Sequence, residues 1–398
     1  MKSTLNIFLG IWIVLFALFL PFTYSFFPNL GIDLTSSLSE ITEWIASSVF
    51  GADIHSSPIT SDSAAQFAQA FLLLFLAFPI AVLLRKQKRF SEIQVKQFLH
   101  TSAAYILAFF LLKYGVDKLF QFQFYAPEPN TLFTPLGMLS KDILFWSSMG
   151  TSSSYNTFMG LSEVIPGILL LHHRTRLLGG LIALGVLINV LAINFGFDIT
   201  VKLLSSYLVI VAVFVLLPHL KNLTTFFLSE SGSFTKPSLR LKLSSKLRLI
   251  VKTVVILLIF AEVLLSYFQI GSFNGREMEK IAHHGSYEVN EHNVSILGTS
   301  NVKRIHIHSK GYLILEDISG NFSDFPIWIN STGTIIAPNE NMQVSVHHDN
   351  STTLFGIKHD GEEQSVKCTE IDLDELPARN DSFHWTVDGM IPTHQEED

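Results

Sequence analysis

Along the first 270 positions, apolar residues gather in long uninterrupted runs rather than at amphipathic spacing. From about residue 275 the pattern changes to short alternating segments punctuated by Gly, Asn and Pro. The runs predict seven spanning helices, over 5–23, 64–84, 98–118, 157–171, 177–195, 203–218 and 249–269. The alternation in "VKRIHIHS", "GYLILED", "MQVSVHHD" and "TTLFGIKHDG" predicts strands of an all-β domain, a sandwich or meander of roughly 110 residues. In the first of these strands, Val302, Arg304, His306 and His308 fall on one face and Lys303, Ile305 and Ile307 on the other.

The connections set an orientation. Basic residues crowd the loops after the second, fourth and sixth runs: Arg85 to Arg89, His172 to Arg176, and Lys221 to Arg248 with Lys236, Arg240, Lys242 and Lys246. The positive-inside rule turns these loops and the N-terminus to the cytoplasm, and the C-terminal domain to the periplasm or exterior. Lys2 before the first run and the small residues of Thr23 to Ser25 also fit a signal sequence there. In the outward loop 24–63, Ile41 to Phe50 predicts a helix lying on the surface. Between the third and fourth runs, Pro127, Pro129 and Pro135 exclude a regular helix. The stretch that follows places Leu139, Ile143, Trp146 and Met149 on one helical side. It reads as an interfacial helix with Trp146 at head-group depth, or as a loop helix packed on protein.

Composition agrees with a membrane protein: 48% of the 398 residues are hydrophobic and 15% charged. The charge is split, with 19 Lys/Arg and 13 Asp/Glu in residues 1–270, against 8 and 21 in residues 271–398. The second part therefore carries −13, which argues against nucleic acid and anionic head groups as its ligands. The single cysteine, Cys368, excludes a disulfide framework within the chain. Sequons begin at Asn293, Asn321, Asn330, Asn350 and Asn380, numbers that a domain rich in Asn, Ser and Thr reaches by chance. The domain plan is two N-terminal spans (1–97), a four-helix core (98–218), a basic loop with the seventh span (219–270) and the acidic β domain (271–398).

Polar residues inside the spans carry the candidate chemistry, since a charge at mid-bilayer costs about 2.5–3.5 kcal/mol on insertion scales. One stripe of the third span holds His100, Tyr114 and Lys118. The fourth sets Glu163 between Gly160 and Gly167, small residues that let a neighbouring helix approach. The fifth carries Asn189 and Asn194, followed by Asp198 and Lys202, and the seventh carries Glu262. All favour the outer half of the bilayer, with Glu163 and Glu262 roughly 10 Å from the outer ends at 1.5 Å per residue. Two readings follow: a polar pocket for an amphiphilic head group or proton, or an interhelical tie in which Lys118 or Asn189 satisfies Glu163.

The stretches "KYGVDKLFQFQF", "PLGMLSKDILFWSSMG", "YNTFMGLSEVIPGILLLHHRTRLLGGLIALGVLINV" and "NFGFDITVKLLSSYLVIV" resemble the DoxX/DoxD-like family of bacterial membrane proteins. Gly115 and Lys118 match its Gly-x-x-Lys element, and Glu163, Gly167, Arg174, Thr175 and Arg176 match its Glu-to-Gly stretch and basic turn. The resemblance covers about residues 98–218, and the arrangement as a whole resembles the longer DoxX-like proteins of Bacteroidetes. It implies a four-helix core in the inner membrane and a quinone-like ligand near Lys118 and Glu163. Some members are small subunits of a thiosulfate:quinone oxidoreductase, and the fold is similar to the membrane domain of vitamin K-dependent carboxylase. This chain has no C-x-x-C, haem-binding pair or dinucleotide-binding glycine motif, so electrons would need a diffusible carrier or a partner subunit.

Three functions are carried forward. The first is an accessory membrane component that binds a quinone or lipid in the outer-leaflet pocket and docks an envelope partner through its β domain. The second is a quinone-linked oxidoreductase subunit in which Lys118 and Glu163 handle protons while Tyr114 and Asn189 orient the ring. The third is a transporter, for which inverted repeats are lacking. In the β domain, ten of the fifteen histidines lie beyond residue 270, and His306-x-His308 is a weak metal candidate. Within Asp381 to Pro392, Trp385 is expected to plug the domain or pack on its rim.

Overall fold

The computed structural model describes residues 2–52, 59–87, 90–228, 244–276, 280–329, 335–337, 342–349, 352–359 and 361–380. Lys88, Arg89, Lys236, Arg240, Lys242, the sequon positions Asn330 and Asn350, and Asp381 to Pro392 with Trp385 lie outside these residues. The chain forms two compact units, Met1–Gln123 with Thr157–Phe273, and Phe124–Asn156 with Asn274–Asp398.

Unit 1 is helical. In chain order the helices of the protein are α1 (Lys2–Leu18), α2 (Leu30–Ser36), α3 (Ser39–Phe50), α4 (Ala64–Lys86), α5 (Glu92–Leu119), α6 (Pro129–Phe133), α7 (Lys141–Gly150), α8 (Ser153–Leu171), α9 (Arg176–Gly196), α10 (Lys202–Leu216), α11 (Leu220–Leu228) and α12 (Ser245–Ile270). All seven apolar runs are helices. Five are long and apolar enough to cross a bilayer: α4, α5, α9, the continuous stretch Lys202–Phe226, and Lys246–Ile270 of α12. α1 is apolar but shorter, and α8 opens on Ser153, Ser154 and Asn156 and carries Glu163 inside.

Large apolar side chains stand bare on these helices, including Phe75, Phe78 and Leu83 on α4 and Leu249, Leu257 and Leu258 on α12. A surface of that kind suits lipid rather than water. The opposite faces form one core around α5, whose Leu99, Ala103, Ala104, Leu107, Ala108, Leu111 and Leu112 are buried against α1, α10 and α12. Polar ties register the bundle: Tyr207 donates to the Ile13 carbonyl at 2.7 Å, Trp12 to Ala70 at 3.2 Å and Gln69 to Phe19 at 3.0 Å. The expected surface helix is α3, with Ile41, Trp44, Val49 and Phe50 exposed and Thr42, Ile45 and Ala46 buried against α4.

Unit 2 contains the expected β domain, which among the described residues is a nine-stranded antiparallel sheet. Its strands are β1 (Gly285–Val289), β2 (Val302–His308), β3 (Tyr312–Asp317), β4 (Phe322–Pro326), β5 (Trp328–Ile329), β6 (Ile335–Ala337), β7 (Met342–Asp349), β8 (Thr352–His359) and β9 (Glu362–Ile371). Their order is β4-β3-β2-β1-β9-β8-β7-β6-β5, so the two ends of the domain meet at β1 and β9. Tyr287, Ile305, Ile307, Leu313, Leu315, Val344, Phe355, Ile357 and Val366 form the core, which also buries Cys368.

One expectation for β2 is corrected. Val302 joins this core instead of sharing a face with His306, because a bulge between Val302 and Arg304 resets the alternation.

Unit 2 also takes in Phe124–Asn156, the segment between α5 and α8. α6 packs on β1 and β2, covering the polar face of those strands, and Arg276 donates to the Gly150 carbonyl at 2.7 Å. In α7, Phe145 is buried and Trp146 packs at 5.0 Å from the ring of Phe124. Trp146 itself is only partly buried, so α7 packs on protein along one side and leaves the other open. The exposed apolar positions are instead Ile143 and, in the preceding turn, Leu136 and Met138.

Candidate functional site

The last two turns of α5 read "KYGVDKL", and α8 reads "GLSEVIPG" at the same level. Neither glycine at the crossing has room for a side chain. A Cβ on Gly115 would lie 2.9 Å from the Gly160 carbonyl oxygen, and one on Gly160 would lie 2.7 Å from the Gly115 carbonyl oxygen. Gly167 repeats the contact against Leu112, at 3.0 Å. The backbones can therefore approach closely, as small residues at helix interfaces allow.

This approach brings Lys118 to Glu163. The Nζ donates to both carboxylate oxygens, at 2.8 and 3.0 Å, and the two residues are only 4% and 3% exposed. Attraction at that distance in a low-dielectric setting offsets the desolvation of both charges, but neither is tolerable alone. The aromatic ring of Tyr114, one turn earlier, lies 5.9 Å from the same Nζ.

Asp117, which sequence reasoning passed over, points to a different neighbour. It accepts from Lys113 at 3.0 Å and from the Tyr267 hydroxyl of α12. Adjacent residues of α5 thus bind α8 and α12.

Tyr114 also lines a cavity of about 780 Å³. Its walls mix Leu20, Phe22, Ile32 and Leu204 with Thr35, Ser39, Glu43 and Gln66, the pairing of apolar body and sparse polar groups expected of a ligand site. The walls come from α2 and α3, the C-terminal ends of α1 and α5 and the N-terminal ends of α4 and α10, the end of the bundle away from the basic loops. At its rim, Asp62 accepts from the Lys202 and Leu203 amides of α10 at 2.7 and 2.9 Å. Asp62 sits at a φ of 56°. A carboxylate followed by an apolar run 140 positions later leaves no trace in local pattern.

The other sequence candidates do not join this group. Asn189 is exposed on α9, whereas Asn194 is buried with its Nδ2 lacking a hydrogen-bond acceptor. Asp198 pairs with Lys202 at 2.7 Å at the start of α10. Glu262 accepts from the backbone amides of Ser25 and Phe26, the latter at 3.2 Å, so it anchors the chain leaving α1.

Unit 2 has its own buried charges. Glu128, just before α6, accepts from His284 Nε2 at 3.1 Å and from the Ser309 amide at 3.1 Å and hydroxyl, with His308 Nδ1 at 3.8 Å. Burial opposes its charge, but the bonds from His284 and Ser309 and the field of His308 win, holding the carboxyl at about 2. Beside it, Arg304 donates to both oxygens of Glu316 at 2.9 and 3.0 Å and lies 4.3 Å from the Phe133 ring of α6. His306 bridges Glu316 at 3.3 Å and Ser286 at 2.8 Å.

A Ser-His-Glu line of this kind has the residue types of a hydrolase triad. Here Ser286 and His306 are fully buried and both ring nitrogens are engaged, so the line is a structural network. His306 is for the same reason not available to a metal. His308 faces Glu128 and accepts from the Lys310 amide at 3.0 Å. Among the described residues no group of three or more His, Cys, Asp or Glu side chains is arranged to hold a metal ion.

Fold and site define a helical protein that carries an antiparallel sheet domain and, among the described residues, five membrane-length apolar helices compatible with multi-pass insertion. A curated relative, the uncharacterized protein YwoB of Bacillus subtilis (strain 168), is 33% identical over 110 residues, which are 28% of this chain and 70% of YwoB. The chain belongs to the family of YwoB. No family model and no solved structure matches it.

Two predictions follow from this geometry. Lys118→Met should cost about 3–5 kcal/mol by leaving Glu163 buried without its partner, and adding Glu163→Met should recover most of that loss. Unfolding of the single and double variants in detergent measures the coupling, and additive losses would refute the tie.

The second concerns pH. A carboxyl held below its ordinary value of 4.5 contributes stability that is complete above that pH and lost as pH falls toward about 2. Hydrogen-exchange protection of β1–β3 in the full chain should therefore decline across that window, and Glu128→Gln should show the reduced protection already at neutral pH. Equal protection in wild type and variant would exclude this contribution of Glu128.

Proposed function

We propose that the chain is a DoxX-like membrane protein of seven spans that holds a quinone or a lipid in the cavity beside Tyr114, as an accessory or redox-associated component. The observation that carries this reading is the shared tyrosine. Its side chain lines the amphiphilic cavity and also stands over the ammonium of the buried Lys118–Glu163 pair. A ligand head group in the cavity is thereby within one ring of the only buried ion pair found in unit 1 among the described residues.

Several features support the placement. The seven spans are α1, α4, α5, α8, α9, α10 and α12, with the basic loops inside. The cavity then opens at the outer end. The segment between α5 and α8 and the C-terminal domain form one compact unit, which agrees with their sharing the outer side. The aromatic and apolar positions left bare on α3 lie at the same end and suit the head-group region.

Purification from native membranes, followed by solvent extraction and mass spectrometry, tests the proposal. Wild type is expected to carry about one quinone or lipid per chain in excess of the detergent background. Leu204→Trp, which fills the cavity from α10, should lose it while keeping the wild-type thermal midpoint to within a few degrees. A wild type without bound amphiphile, or a Leu204→Trp variant that retains it, would refute the assignment.

A further inference from the structure

The wall of the cavity beside Tyr114 carries charge of one sign. Among the described residues Glu43 is the one charged side chain that lines it, and no Lys, Arg or His does. Glu43 stands one turn after Ser39 on α3, half-buried, and both belong to the same wall. No cation or hydrogen-bond donor of the described residues engages the Glu43 side chain. The carboxylates nearby are satisfied: Asp62 at the rim accepts the two amides that open α10, and Asp198 holds the Lys202 ammonium.

The neutral polar groups of the wall are poor in protons to give. Thr35 Oγ1 donates to the Phe19 carbonyl at 2.6 Å and Ser61 Oγ to the Thr200 carbonyl at 2.7 Å, so each has committed its single proton to backbone. What these two hydroxyls still present to a ligand is lone pairs. Gln66 uses its amide oxygen on the Asp62 amide at 2.8 Å, which leaves its NH2 as a neutral donor, and the Tyr114 hydroxyl can donate or accept.

These groups discriminate between head groups. A phosphate or carboxylate would face Glu43 with no countercharge in the wall. A quinone would bring two further acceptors and leave Glu43 unpaired. A protonated amine fits both features, because its N–H groups meet the carboxylate in charge-assisted hydrogen bonds and the aromatic side chains of Phe22 and Tyr114 suit a cation. The apolar part of the wall, with Leu20, Ile32 and Leu204, suits an acyl chain. We propose that the cavity takes an amphiphile with a protonated amine head group, whose ammonium pairs with Glu43. This rests on the cavity reading above and chooses within it.

Native mass spectrometry of the full chain in detergent, titrated separately with phosphatidylethanolamine, phosphatidylglycerol, decylubiquinone and free ethanolamine, is the test. The two lipids share a phosphate and differ in the ammonium. Phosphatidylethanolamine should form a one-to-one adduct at least about 10-fold tighter than phosphatidylglycerol or decylubiquinone, the scale of one charge-assisted hydrogen bond. Glu43→Gln should lose that preference, while Glu40→Gln, which removes an exposed carboxylate of the same helix, should match wild type. Because Glu43 has no internal partner, the thermal midpoint of Glu43→Gln without ligand should match wild type and establish that the variant is folded. Phosphatidylglycerol or decylubiquinone binding as tightly as phosphatidylethanolamine, a Glu43→Gln variant that keeps the preference, or an equal loss in Glu40→Gln would overturn the amine assignment and leave the cavity reading standing. Ethanolamine binding as tightly as phosphatidylethanolamine would overturn the assignment to an amphiphile. Adducts retained by Leu204→Trp would instead defeat the cavity itself as the site.

Discussion

The bond between Lys118 and Glu163 is the constraint from which the rest of unit 1 is set. It forms only because Gly115 and Gly160 bring two backbones into contact, and it punishes any separation of α5 from α8 with two buried charges. With α5 fixed in rotation, Tyr114 is turned to the cavity and Asp117 to Tyr267 of α12. Three neighbouring residues of one helix thereby position a cavity wall and two helical partners.

Buried charge recurs through the molecule under the same rule: each buried ion has a partner of opposite sign or an array of donors. Glu128 and Glu316 in unit 2 are surrounded by His284, Ser309, His306 and Arg304, and the cost of burying them is offset by several short bonds each. Because Glu128 lies in the segment between α5 and α8, its bonds also join that segment to the sheet.

Much of this was legible along the chain. Seven apolar runs became seven helices, the alternating tail became a sheet, and the glycines flanking Glu163 pointed to a close helix crossing. What stayed hidden depends on contacts between distant positions. The phase of a single helix places Asn189 on a stripe but does not say which stripe meets a neighbour, and Asn189 is exposed. Glu262 reads as a carboxylate in the outer half of its span, and the sequence gives no sign that its partners are the distant amides of Ser25 and Phe26. A bulge moved Val302 across the sheet, and a proline-rich segment that reads as a loop supplied Glu128 and Phe133 to the β unit.

Glu163 holds α8 to α5 as an ionised partner of Lys118 inside the bundle. Infrared difference spectroscopy at neutral pH, wild type against Glu163→Gln, reads that state directly. The band lost in the variant is expected to be that of an ionised carboxylate, and Lys118→Met should shift or abolish it. Loss of a protonated carboxyl band, unaffected by Lys118→Met, would contradict the ion pair on which the structure of unit 1 depends.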